Sequence, residues 1–199
     1  GSVGVSTGAV EMGQGVNTKI LQVAATVFSI DPSLVKIFST NTWRIANTSP
    51  TAASAAADLN GKATEIAAHA ILKRLKESAA NELNANAAEI EIKDEKVFVN
   101  GKKSSLDWKE LVMKTYHKRI SLSEHAHYTP PGIHFDSSNE KGHPFAYHVY
   151  GTAIITATID CIRGVYEFDS VKVVHDFGQS MNTIIDRGQC EGGIVQGIG

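Results

Sequence analysis

Three stretches of this chain combine small residues, amides and hydroxyls where a helix should begin. In the first, Gly13-Gln14-Gly15 follows Glu11-Met12 and precedes apolar residues at helical spacing. Such a turn offers backbone N–H groups not yet paired within a helix, beside a flexible carboxamide, which suits oxyanions and the edges of heterocycles. The second stretch runs from Asn47 to Ala55 through Ser49, Pro50, Ala53 and Ser54, where a helix dipole would favour negative charge. The third, residues 186–193, sets the Gln189 amide on a glycine-rich element. Neither the dinucleotide fingerprint nor a Gly-Lys-Ser/Thr phosphate loop is present, so each stretch alone reads equally well as an ordinary capped helix or tight turn. Two such ends in one domain could embrace one anionic ligand.

Other chemistries find less support. His125 and His127 would share a strand face, with His134, His143 and His148 nearby in sequence, but none has metal-ligand spacing, so they read as surface or core residues. There is no Gly-x-Ser-x-Gly nucleophile elbow. Cys161 and Cys190 form neither a disulfide framework nor a CxxC pair; they read as small buried hydrophobes in a reducing compartment.

The elements that must position these residues follow from periodicity. Val3 and Val5 open a strand, Val16, Ile20, Val23 and Val27 repeat as a helix ended by Asp31-Pro32, and residues 34–39 return as a strand. Ser49-Pro50 reads as the cap and first residue of a long helix with Ala55, Leu59, Ala63, Ile66, Ala67, Ala70, Ile71 and Leu75 on one stripe, and Gly61 as a candidate kink. Ile90 and Ile92 pair with Val97 and Val99 in a hairpin turned at residues 93–95, and Asn100-Gly101 makes a second turn. Ser105 or Asp107 caps a short helix carrying Leu111, Val112 and Tyr116, after which Ile120 and Leu122 open a strand. A loop over 130–144 leads to a long antiparallel hairpin, 147–162 with 165–176, one face of which should be buried. A loop over 177–185 then precedes a final glycine-rich helix. The expected class is α+β: a long antiparallel hairpin and mixed strands packed with several helices.

Composition narrows the partners. The 199 residues, 42% hydrophobic and 20% charged, can build a sizeable core, and no apolar run approaches bilayer length. Lys and Arg number 19 against 21 Asp and Glu, scattered along the chain, so no basic footprint for nucleic acid is present. The first residues already alternate as a strand, and the last ones, Gly192 to Gly199, stop within a glycine-spaced pattern. The expectation is a fragment of one domain, 1–199, truncated at both ends.

The sequence Glu11-Met12-Gly13-Gln14-Gly15 with Thr18-Lys19, then 47–54 with Ala57-Asp58-Leu59-Asn60-Gly61, then Asp176-Phe177-Gly178 with Ser180 and Asn182, and Gly188-Gln189 with Glu191-Gly192, together resemble the molybdopterin-binding domain of the xanthine dehydrogenase and aldehyde oxidase family. Ser121-Leu122-Ser123, the stretch 128–131 and Tyr150-Gly151 resemble its bacterial xanthine dehydrogenase branch most. The resemblance implies that Met12, Gly13, Gln14 and Gly15 line a molybdenum-bearing pyranopterin, that Ala53, Ser54, Ala55 and Ala56 supply backbone and hydroxyl contacts, and that Gln189 contacts the pterin. The chain departs from the family at Ser39, at residues 41–44 and at Ala55-Ala56, where a second serine is missing, which implies phosphate contacts from backbone there.

The family's catalytic glutamate, its metal-facing glutamine and its substrate-binding arginine would all lie outside this chain, so no catalytic or metal-ligating residue is expected within it. By the same resemblance the parent is a cytoplasmic oxidoreductase that oxidises purines, homo-oligomeric, with 2Fe-2S and FAD carried on other domains or subunits. An aldehyde or N-heterocycle oxidoreductase is the alternative within the family. Outside it, the glycine turns also suit a non-catalytic interaction module with the hairpin as its partner surface.

Overall fold

A computed structural model describes residues 1–38, 40–44 and 48–199, in two compact units, Gly1–Thr129 and Pro130–Gly199. The architecture is α+β in both.

In the first unit, strand β1 (Val3–Ser6) is joined through helix α1 (Val16–Phe28) to a parallel partner, β2 (Val35–Phe38), with Val3 opposite Val35 and Val5 opposite Ile37. Helix α1 buries Val16, Ile20, Ala24, Ala25 and Phe28, the stripe that a 3.6-residue period places on one face. It ends earlier than Asp31-Pro32 suggested. Ser29 adopts a left-handed conformation (φ 52°) and its N–H returns to the last turn, while Asp31 caps a separate 3₁₀ turn, Pro32–Leu34, by accepting from the Ser33 N–H. Ser39, the expected end of β2, lies outside the described residues.

Helix α2 (Ala56–Leu83) starts well after Ser49-Pro50, because Ala53 and Ser54 both take left-handed backbone (φ 55° and 57°) that no helix can contain. It runs continuously through Gly61, where a Cβ would meet only Val23 of α1 at 3.8 Å, so that glycine admits the neighbouring helix instead of kinking its own. Its buried residues are Gly61, Ala68, Leu75, Ser78, Ala79 and Ala80; Ile66, expected on the stripe, is exposed.

Three antiparallel strands follow where a two-stranded hairpin was expected: β3 (Ile90–Lys93), β4 (Lys96–Val99) and β5 (Lys102–Asp107). Both turns have two residues at positive φ, Asp94-Glu95 and Asn100-Gly101, whose twist matches that of the flanking strands. The third strand was hidden by its polar residues 102–105, which leave only Leu106 to enter the core. Asp107 caps α3 (Trp108–His117) in a reciprocal capping box with Glu110. Leu111 is buried, but Tyr116 is exposed, and residues 120–122 form no strand. The core gathers Phe28, Val35, Leu75, Ile90, Val97, Leu106 and Leu111 around Trp108, whose ring lies 5.4 Å from that of Phe28.

In the second unit, a short hairpin, β6 (His134–Asp136) with β7 (Lys141–His143), occupies the stretch expected to be loop. The long hairpin is present as β8 (Gly151–Asp160) and β9 (Val165–His175), with a bulge at Thr156/Ala157 and a turn tied by the Asp160 carboxylate to the N–H groups of Ile162 and Arg163. Neither face is buried: Ile154 and Ile155, on opposite faces, are 63% and 51% exposed. Helix α4 (Thr183–Ile198) begins before Asp186, capped by the Asn182 side chain. Cys161 is exposed and Cys190 half-buried, so neither is the buried hydrophobe expected. Among the described residues no helix is long and apolar enough to cross a membrane.

Two outcomes follow from this packing. Leu75→Ala empties a fully buried site and should cost about 2–5 kcal/mol in chemical denaturation, whereas Ile66→Ala should stay within about 0.5 kcal/mol. Glu82 of α2 is paired with Lys114 and Lys118 of α3, and those two hydrogen bonds hold its carboxyl at about 2, down from 4.5. Its stabilising effect is therefore complete above about pH 4.5 and lost as pH falls through about 2. The difference in melting temperature between wild type and Glu82→Gln should be flat near neutrality and shrink as the acid is titrated.

Candidate functional site

The first two candidate stretches meet in the first unit. Each precedes a helix, and the side-by-side packing of α1 and α2 brings the two helix starts together. Threonine hydroxyls join them. Thr51 Oγ1 accepts from the Val10 N–H at 2.9 Å, linking the loop before α1 to the loop before α2. Buried Thr7 reaches Asn60 of α2 at 2.9 Å, and Thr40 donates to the carbonyls of Ala9 (2.7 Å) and Thr7 (3.0 Å). Gly8 admits the close approach of Thr48, whose Oγ1 would stand 2.6 Å from any Cβ there. Ala9, Val16 and Ile20 form a small apolar cluster beneath the loop, with Ala56 packed against it.

The N–H groups expected to be open are engaged. The Glu11 carboxylate accepts from the N–H groups of Gly13, Gly15 and Asn17, each at 2.9 Å. Partial burial works to raise its pKa, but the backbone N–H groups of Asn17, Gly15, Gly13 and Gln14 outweigh burial and hold it below the usual carboxylate range. Glu11 thus caps a helix whose own N-cap, Gly15, has no side chain. Gln14 closes the loop's other side: its Oε1 accepts from Met12 N–H at 2.5 Å and its Nε2 donates to the Val10 carbonyl at 2.7 Å.

This surface offers open backbone and spare hydrogen-bonding valences. Met12 is 68% exposed, and Gly13, at φ 103°, has no heavy atom within 4 Å of where a Cβ would stand, so the backbone is open to close approach. The Gln14 carboxamide, half-buried, retains one donor and one acceptor beyond its two loop bonds. Exposed Ala53 and Ser54 follow in left-handed conformation, then Ala55 as an N-cap with no capping side chain, and Ala56 as the first residue of α2. Asn47 lies outside the described residues. Gln189, exposed on α4, belongs to the second unit, where Asp186 is buried and accepts a hydrogen bond from the Ser180 hydroxyl. No cluster of three or more His, Cys, Asp or Glu that could hold a metal ion occurs among the described residues.

Sequence reasoning missed Glu11 and the bracing threonines. An acidic residue just before a glycine turn and a helix was the available signal for Glu11; the threonines had none, since their partners lie 31 to 53 positions away.

The fold is that of an α+β domain in which the loops before two packed helices are tied together by a threonine hydroxyl. Over residues 1–199 the sequence matches the molybdopterin cofactor-binding domain family, and the chain belongs to that family. Across all its residues it is 40% identical to xanthine dehydrogenase of Oryza sativa subsp. japonica and 39% identical to xanthine dehydrogenase/oxidase of Mus musculus, and it spans 13% of the length of each. Its fold is similar to quinoline 2-oxidoreductase from Pseudomonas putida 86 (TM-score 0.77, 25% identity, 98% of this chain and 24% of that one). It is likewise similar to CO dehydrogenase from Oligotropha carboxidovorans (TM-score 0.78, 25% identity, 97% and 23%).

Removing the inter-loop hydroxyl tests the brace. Thr51→Val preserves shape but leaves the Val10 N–H without its partner, and should cost about 0.5–1.5 kcal/mol, with faster amide exchange at Val10.

Proposed function

We propose that this chain is the cofactor-binding portion of a molybdenum hydroxylase that oxidises purines, xanthine or hypoxanthine to urate, with both units forming one molybdopterin-binding domain. The observation that carries this is the joining of Met12, Gly13, Gln14 and Gly15 to Ala53, Ser54, Ala55 and Ala56 by the Thr51 bond, in a chain 40% identical to a xanthine dehydrogenase. The bound molybdenum cofactor supplies the two-electron oxidation.

The chain's own residues hold and orient it. In the first unit Gln14 would offer a carboxamide edge to the pterin, Gly13 would let the backbone approach it, and Ser54 with the backbone at 53–56 would serve its phosphate; in the second unit Gln189 is the carboxamide proposed as a pterin contact. The parent would be a cytoplasmic homo-oligomer carrying 2Fe-2S and FAD centres on other domains or subunits, which would supply the redox partners of the molybdenum cofactor. A second reading, an N-heterocycle oxidoreductase, is favoured by the likeness to quinoline 2-oxidoreductase. Turnover of xanthine against quinoline by the intact enzyme separates the two.

In that enzyme, Gln14→Ala should lower molybdenum content more than it lowers turnover per bound metal. Leaving a pterin edge unpaired costs about 1–3 kcal/mol, or roughly 5- to 150-fold in affinity. Elemental analysis beside product formation per metal checks it; full metal with poor turnover would place Gln14 in the reaction itself.

A further inference from the structure

We infer that Glu11 is a positioning residue for the cofactor loop: its carboxylate is a built-in anion that closes the start of α1 and holds residues 12–15 in the shape the ligand meets. This rests on the functional reading above, because it concerns the same loop. Oε1 takes the N–H groups of both Gly13 and Gly15, and Oε2 takes that of Asn17 in the first turn of α1. Gly13 and Gly15 can turn their N–H groups toward one carboxylate because both sit at positive φ (103° and 77°), which glycine adopts without strain. With Gln14 engaging Met12 N–H, the donors of Met12, Gly13, Gly15 and Asn17 are used inside the loop. The loop therefore meets its ligand with an open glycine, the Met12 side chain and the spare valences of Gln14, and its positive helix end is already neutralised from within.

Deleting the carboxylate frees three convergent donors, which a small carboxylate from solution can satisfy again. The experiment uses the intact enzyme carrying this chain, with formate as the probe. Hydrogen exchange is followed in peptides covering residues 11–19, with residues 68–80 of α2 as internal reference, beside molybdenum per chain. Glu11→Ala should speed exchange at 12–17 by about 10-fold or more, leave α2 within about 2-fold, and lower molybdenum content about 5-fold or more. Formate at about 50 mM should restore at least about half of both losses in Glu11→Ala and leave wild type unchanged, as expected of an anion returning to a set of oriented donors. Glu11→Gln keeps one carbonyl oxygen for Gly13 and Gly15 and should fall between wild type and alanine.

Unchanged exchange at 12–17, acceleration that spreads into α2, metal loss without loop loosening, or absence of formate rescue would each overturn the inference. A wild-type enzyme without molybdenum would overturn the functional reading instead, with the exchange and formate arms still deciding whether Glu11 shapes the loop.

Discussion

The contact between α1 and α2 is the constraint on which the candidate site depends. Both helices begin at the site, so the distance at which they pack sets the distance between the loops that precede them. Gly61 lets α2 pass beside Val23 of α1 at van der Waals range, and Ala24, Ala25 and Ala68 keep the surrounding core narrow. Larger side chains there would move two loop backbones apart, whatever those loops themselves contained. The site is thus a product of helix packing first and of loop chemistry second.

The loops then solve a problem common to every helix start, which is what to do with unpaired N–H groups. The two helices solve it differently. At α1 the chain supplies its own carboxylate, Glu11, and a carboxamide, Gln14, so the loop is cross-tied before any ligand arrives. At α2 the left-handed pair Ala53-Ser54 ends in Ala55, which has no capping side chain. One wall of the site is therefore pre-formed and internally neutral, while the other is built from small residues and backbone. Pre-organisation of this kind lowers the ordering cost that binding would otherwise have to meet.

This division of labour suits a domain of the molybdopterin cofactor-binding family. The side chains at the site are amide, hydroxyl and thioether, and the carboxylate of Glu11 is tied to the backbone N–H groups of Gly13, Gly15 and Asn17. Amide, hydroxyl and thioether groups can hydrogen-bond and pack against a ligand without titrating, and the chain spans 13% of the length of the Oryza sativa subsp. japonica xanthine dehydrogenase that it resembles.

Much was legible in the sequence. The period of Val16, Ile20 and their neighbours, the Asn100-Gly101 turn, the Asp107 cap, the long hairpin on either side of Gly164 and the α+β class all follow from local spacing, because side-chain direction repeats every 3.6 or 2 residues. The three candidate stretches stand out in the sequence too, as residue types. Errors arose where distant partners decide: the start of α2, delayed by backbone at Ala53-Ser54; the polar third strand, held by its pairing with β4; and the exposure of Ile66, Tyr116 and the hairpin faces. Glu11 was visible as an acid but not as the partner of three N–H groups, which requires the loop to be folded around it. Sequence by itself determined which residue types stand before each helix; only the tertiary structure decided that the stretches before α1 and α2 stand together, which depends on a contact 41 residues apart in the chain, and that the loop before α1 has already spent its donors, which depends on how that loop folds around Glu11.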